Sequence, residues 1–95
     1  MYFNQVEFGK RLRELRLSKG MTQEELAEAL NINLDHMRKM ERGRERCSID
    51  LLLEIAIYFN VSTDYLLMGR ITDREAEKKR LLGVISELSE LVEIL

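Results

Sequence analysis

The sequence predicts an all-α fold, and three observations carry that reading. Apolar residues recur at helical spacing, first with Phe8, Leu12 and Leu15 at i, i+4 and i+7. Period-two alternation of β-branched residues, the mark of a half-buried strand, is absent. The 95 residues include no proline, so glycine, asparagine and capping side chains alone divide one helix from the next. Read by that punctuation, the chain is five short helices followed by a C-terminal amphipathic helix.

The first helix is expected from Asn4 to Ser18, with Gly20 as its left-handed cap. Thr22 opens the second. "TQEE" is a capping box, in which Thr22 accepts from the amide of Glu25 and Glu25 reaches back to the amide of Thr22. Leu26, Ala27 and Leu30 form its inner face, and Asn31 ends it, since asparagine tolerates the left-handed conformation well. Asn33 caps a third helix from Leu34 to Glu41 or Arg42. Met37 and Met40 are its apolar pair, and Gly43 stops it. Ser48 caps a fourth, with Leu51, Leu52, Ile55, Ala56 and Phe59 inward, Asn60 at its end and Val61 tucked beneath. Ser62 caps the fifth, "TDYLLM", which Gly69 closes. A second capping box, Thr72 with Glu75, opens the last helix, in which Gly83 is a weak point. There Leu81, Val84, Leu88, Leu91 and Leu95 step by 3, 4, 3 and 4 as a heptad seam that Leu82, Ile85 and Val92 widen. The expected organisation is a domain at 1–70 and a C-terminal helix at 71–95.

Composition narrows the function classes. A single cysteine, Cys47, excludes an internal disulfide framework and suits a reducing cytosol. No apolar signal-peptide core is evident near Met1, and no run approaches the roughly 18 apolar residues that span a bilayer. A cytoplasmic protein without membrane contact is therefore expected. With one histidine, one cysteine and no glycine-rich phosphate loop, the chain offers no nucleophile–base pair, so no enzyme is expected. His36 has no neighbours at metal-ligand spacing, so neither a metal nor a cofactor is expected. The net charge is −2, and its distribution tells more than its total. Residues 1–70 carry eleven basic and eleven acidic side chains, and residues 71–95 carry four and six. Two basic clusters stand out: Lys10, Arg11, Arg13, Arg16 and Lys19, and then Arg38, Lys39, Arg42, Arg44 and Arg46.

The span from Gln23 to Arg42 reads as two short helices crossing steeply. Such a crossing needs a small residue at the contact, which Ala27 supplies, and a positive-φ residue in the turn, which Asn31 supplies. Leu26, Leu30, Ile32, Met37 and Met40 can lock both helices to a third. This is the logic of a helix-turn-helix. The strings "RLRELRLSKGMTQEELAEALNIN", "MRKMERGR" and "SIDLLLEIAIYFNVSTDYLLMG" occur in that order. Over Phe8 to Gly69 the sequence thereby resembles the phage-repressor-like (Cro, XRE-type) helix-turn-helix family.

The resemblance implies a five-helix, lambda-repressor-like domain whose third helix enters the major groove of double-stranded DNA. It implies that Gln23 contacts phosphate and that Asn33, Leu34, Asp35, His36 and Lys39 face base edges, with Arg38 beside them. Arg42, Arg44 and Arg46 fall where relatives follow the groove wall. Arg16 and Glu41 match a largely buried ion pair joining the first and third helices. Two departures stand out. Cys47 occupies a position often filled by proline, where it reads as a small filler. Leu34 and Asp35 replace the usual polar tip of the reading helix. Leu34 is open to two readings, a core residue reaching back over the turn or a contact to a thymine methyl. Asp35 is equally open, accepting from cytosine N4 or serving as a helix-start acid.

The expected function is a transcriptional regulator, a repressor that occupies an operator as a homodimer and takes any signal from a regulatory protein partner, from proteolysis or from the dimer equilibrium itself. Leu81, Val84, Ile85, Leu88, Leu91, Val92 and Leu95 would form the dimer seam, unless that helix folds back on its own domain. The alternative is a protein-interaction module, such as an antitoxin or antirepressor, that keeps the fold and reads DNA weakly.

Overall fold

The computed structural model describes residues 3–70 together with positions 81, 83 and 88. Five α-helices follow one another: α1 (Gln5–Ser18), α2 (Gln23–Ala29), α3 (Leu34–Glu41), α4 (Ile49–Phe59) and α5 (Thr63–Met68). Leu81, Gly83 and Leu88 are helical and exposed. The remainder of the expected sixth helix lies outside the described residues, and so do Val84, Ile85, Leu91, Val92 and Leu95.

Local chemistry sets every boundary. Asn4 caps α1 rather than starting it, accepting from the amides of Val6 and Glu7 at 3.1 Å each. Thr22 and Glu25 form the reciprocal capping box at the start of α2. Asn33, Ser48 and Ser62 each accept from the amide three residues on, satisfying one of the donors a helix start leaves unpaired. The turns out of α2 and α4 use Asn31 and Asn60, the two non-glycine residues with positive φ among the described residues, at 55° and 54°. Ile32 N–H then returns to the carbonyl of Ala27 and Val61 N–H to that of Ala56. Each turn thereby tucks an apolar side chain against the core.

One core joins all five helices. Phe8 and Leu12 come from α1, Leu26 and Ala27 from α2 with Leu30 at its cap, and Met37 and Met40 from α3. Leu51, Ile55, Ala56 and Phe59 come from α4 and Leu66 from α5. Each fully buried large side chain contributes roughly 1.5–3 kcal/mol relative to exposure. Leu15, Ile32, Leu52 and Cys47 are half-buried at its edge, which fits the filler reading of Cys47; burial pushes its thiol pKa up. Arg11 ties α1 to α5 by donating from Nε to the carbonyl of Leu66 at 3.0 Å. α4 leaves a second face bare, with Ile49, Leu53 and Ile57 exposed at i, i+4 and i+8.

Gly9 decides how closely α1 approaches α3. A Cβ there would lie 2.6 Å from the carbonyl oxygen of Glu41 and would also meet that of Met40. Both obstacles are backbone, so no rotamer change relieves them. The last turn of α3 can rest on α1 only because this position has no side chain. Gly9→Ala should therefore destabilise the protein by about 1–3 kcal/mol, as overpacking does, lowering the thermal midpoint by roughly 4–8 °C per kcal/mol. A calorimetric midpoint equal to that of the unsubstituted protein would show that the two helices do not make this approach.

Candidate nucleic-acid interface

The exposed face of α3 is set by what happens on its buried side. Arg16 of α1 meets Glu41 of α3 as a two-pronged pair, Nε to Oε2 at 2.7 Å and Nη2 to Oε1 at 3.0 Å. Its remaining arm, Nη1, donates to the carbonyl of Met21 at 2.8 Å. Gln23, the first residue of α2, donates from Nε2 to Glu41 Oε1 at 3.1 Å. Arg16 and Glu41 are buried, and among the described residues no buried side-chain polar atom lacks a partner. Three helices therefore share one satisfied ionic junction. The ion pair that the resemblance implied is present. Gln23, expected to contact phosphate, here spends one amide N–H on Glu41 and keeps the second.

Met37 and Met40 are fully buried and hold the inner stripe of α3. Asn33 caps its start, accepting from the amide of His36 at 2.7 Å. The outer face thus presents Leu34, Asp35, Arg38 and Lys39, with Arg42 at the C-cap. Leu34 is half-buried but is not one of the side chains packed against the core. That disfavours its reaching back over the turn and leaves it on the outer face.

Asp35 pairs with Lys39, Oδ2 to Nζ at 2.9 Å, in the favourable order of acid before base one turn apart. Lys39 is also 3.5 Å from Glu45 Oε1. The other oxygen of Glu45 lies 2.5 Å from Nδ1 of His36. A carboxylate only accepts, so that ring nitrogen carries the proton. Four side chains form one network, in which Asp35 is exposed and His36, Lys39 and Glu45 are half-buried. The hydrogen bond from His36, joined by the charge of Lys39, holds the Glu45 carboxyl below its usual range. Asp35 first, and Glu45 after it, raise Lys39. Sequence reasoning missed Glu45. Its position depends on Gly43, whose φ of 74° reverses the chain and lets Arg44 and Glu45 N–H return to the carbonyl of Lys39.

Past that network the charge is uniformly positive. Arg38, Arg42 and Arg44 are exposed, and among the described residues their side chains have no hydrogen-bond or ion-pair partner. Arg46 is exposed but held, donating from Nε to Gln5 Oε1 at 3.0 Å while its guanidinium lies 5.9 Å from the Phe3 ring centre. Gln5 in turn donates to the carbonyl of Gly43 at 2.6 Å. The start of α1 therefore braces the loop after α3. Among the described residues no group of His, Cys, Asp and Glu is placed to hold a metal ion, and no helix is long and apolar enough to cross a membrane. The arrangement is an exposed helix with mixed donors and acceptors, bordered by free arginines. Such a surface suits a polyanion with readable edges.

Known proteins were compared with the chain. A family described as helix-turn-helix matches residues 12–66. The HTH-type transcriptional regulator ImmR of Bacillus subtilis is 39% identical over 82 residues, covering 86% of this chain and 65% of ImmR. The HTH-type transcriptional activator BcrR of Enterococcus faecalis is 37% identical over 82 residues, covering 84% of this chain and 40% of BcrR. The chain thus spans less than two thirds of either relative. Among solved structures, the restriction-modification controller protein C.AhdI from Aeromonas hydrophila aligns with a TM-score of 0.61 at 35% identity, covering 66% of this chain and 96% of that one.

Two outcomes check the geometry of the site. Arg16→Ala, which strands Glu41 as a buried charge, should cost about 3–5 kcal/mol in urea unfolding; a loss below about 1 kcal/mol would mean that water reaches the junction. In a carbon-detected NMR titration, the Glu45 carboxyl should titrate below the ordinary glutamate range, and His36→Ala should move it back upward more than Lys39→Ala does. An ordinary midpoint in the unsubstituted protein would contradict the network.

Proposed function

This chain belongs to the helix-turn-helix family, and we propose that it acts as a sequence-specific DNA-binding transcriptional regulator, not as a catalyst. One observation carries the reading. The inner stripe of α3 is locked by Met37, Met40 and the Glu41 junction, while its outer face stands clear with Arg38, Arg42 and Arg44 unpaired beside it. A helix held this way can enter a major groove without rearrangement. Lys39 and Asp35 meet base edges, Leu34 lies against a thymine methyl, and Asn33 and His36 flank them. The loop arginines and the second N–H of Gln23 take phosphates, which position the helix without specifying sequence. The names of ImmR and BcrR as transcriptional regulators support the same reading.

One such domain touches only a few base pairs, so a regulator of this kind works as a homodimer on half-sites about 34 Å apart. The heptad seam of residues 71–95 supplies the dimer contact, and the exposed Leu81 and Leu88 mark it. The bare face of α4, with Ile49, Leu53 and Ile57, offers a second apolar surface for the same pairing. Bound at an operator, the dimer represses by occupying it in the cytoplasm, without a cofactor. The competing reading, a protein-interaction module such as an antitoxin or antirepressor, is favoured by one observation: the single lysine of α3, in its last turn, is already matched by two carboxylates.

Selection of bound duplexes from a random pool, followed by fluorescence anisotropy at physiological salt, separates the two. A regulator should bind its selected duplex at least about a thousandfold more tightly than random sequence. Arg44→Ala should weaken binding to both duplexes alike and flatten the salt dependence by about one unit of slope. Equal affinity for selected and random DNA would overturn sequence-specific regulation and leave the interaction module.

A further inference from the structure

The sequence offers no obvious role for Glu45, an acid in the basic loop that follows α3. In the folded protein it stands between two α3 side chains, Oε2 on His36 and Oε1 near Lys39. Asp35 completes the set from the opposite side of Lys39. The donors of His36 and Lys39 are therefore both engaged by carboxylates before any ligand arrives. The unpaired arginines nearby are Arg38, Arg42 and Arg44, which no such acid covers.

We propose that Glu45 is a specificity-determining positioning residue: it holds His36 and Lys39 on the face of α3 and competes with DNA phosphate for them, so that backbone contact alone does not draw them out. The inference rests on α3 being the DNA-facing helix. Non-specific binding is the pairing of phosphates with side-chain cations. A phosphate approaching Lys39 must displace one carboxylate and lie beside it, while the free arginines accept phosphate with no such competitor. A matched base edge offers something more. Asp35 and Lys39 set an acceptor beside a donor, 2.9 Å apart. The major-groove edge of a G·C pair sets the cytosine N4 donor beside the guanine O6 acceptor, one hydrogen bond apart at about 2.9 Å. The two patterns are complementary. Glu45, as a second anion behind Lys39, keeps the pair assembled for that edge.

The test uses the full chain with E45Q, K39A and the double variant, on two duplexes: one of random sequence and the best-bound duplex from selection. E45Q should bind the random duplex about two- to fivefold more tightly, the scale of one exposed ion pair, with a salt slope steeper by about one. The ratio of selected to random affinity should fall by the same factor. Adding K39A to E45Q should cancel most of that gain. If K39A weakens binding while E45Q leaves both affinities and the salt slope unchanged, the role of Glu45 is overturned and α3 remains the DNA-facing helix. If K39A changes binding to neither duplex, α3 does not face DNA, and the inference falls with that reading.

Discussion

The geometry of the molecule turns on the buried junction of Arg16, Glu41 and Gln23. Removing a carboxylate and a guanidinium from water costs several kcal/mol per ion, and their mutual attraction offsets this only when the remaining donors and acceptors are also satisfied. Here they are, through Met21 and Gln23. Such a junction adds little net stability. It does fix an angle, because a planar guanidinium accepts a carboxylate in one orientation. The apolar contacts of α3 are weaker guides. Met37 and Met40 are unbranched and fill irregular space, so on their own they would tolerate sliding of α3 over α1 and α2. The ionic junction removes that freedom.

Two glycines extend this control outward. Gly9 lets the backbone of α3 rest on α1 just where Glu41 enters the junction. Gly43 then turns the chain within contact distance of Val6, too close for any side chain of its own. Gln5 holds the carbonyl of Gly43 with one end of its amide and receives Arg46 with the other. The loop that carries Arg44, Glu45 and Arg46 is thereby referenced to the rigid start of α1. The positions of the loop charges follow from the same packing that orients the helix.

How much of this the sequence discloses depends on how far apart the interacting residues lie. The caps at Thr22, Asn33, Ser48 and Ser62, and the turns at Asn31 and Asn60, involve neighbours within a few residues, and local residue order exposes them. The inner faces follow from periodicity in the same way. The junction does not. Arg16 and Glu41 are 25 positions apart, and nothing local pairs that arginine with that acid; only resemblance to a family does. Gly9, in the middle of a helix, reads as a weak helix former until Met40 and Glu41 are seen against it. Glu45 reads as one more charge in a loop until the turn at Gly43 brings it back over His36 and Lys39. Leu34 is open to two readings in the sequence because it starts the helix one turn before Met37, and the fold leaves it half-buried but off the core.

The balance of eleven positive and eleven negative side chains in residues 1–70 does not by itself oppose a partner as acidic as DNA, because the two signs are unevenly placed. Among the described residues Arg38, Arg42 and Arg44 face solvent unpaired, while Asp35 and Glu45 are committed to Lys39 and His36. Charge is thus segregated into a rim of arginines and a network in which two carboxylates meet one lysine and a histidine. On the proposed function, that rim would meet the phosphate backbone. Leu34, Asp35 and a lysine already matched would gain little from phosphate. On the proposed function, each of these side chains would act against a particular feature of a base edge, a methyl group for Leu34 and an amino group beside a carbonyl for Asp35 and Lys39. A tip of free lysines would bind more tightly and discriminate less. On the proposed function, the residues least suited to phosphate would be the ones that keep affinity and sequence discrimination on separate side chains.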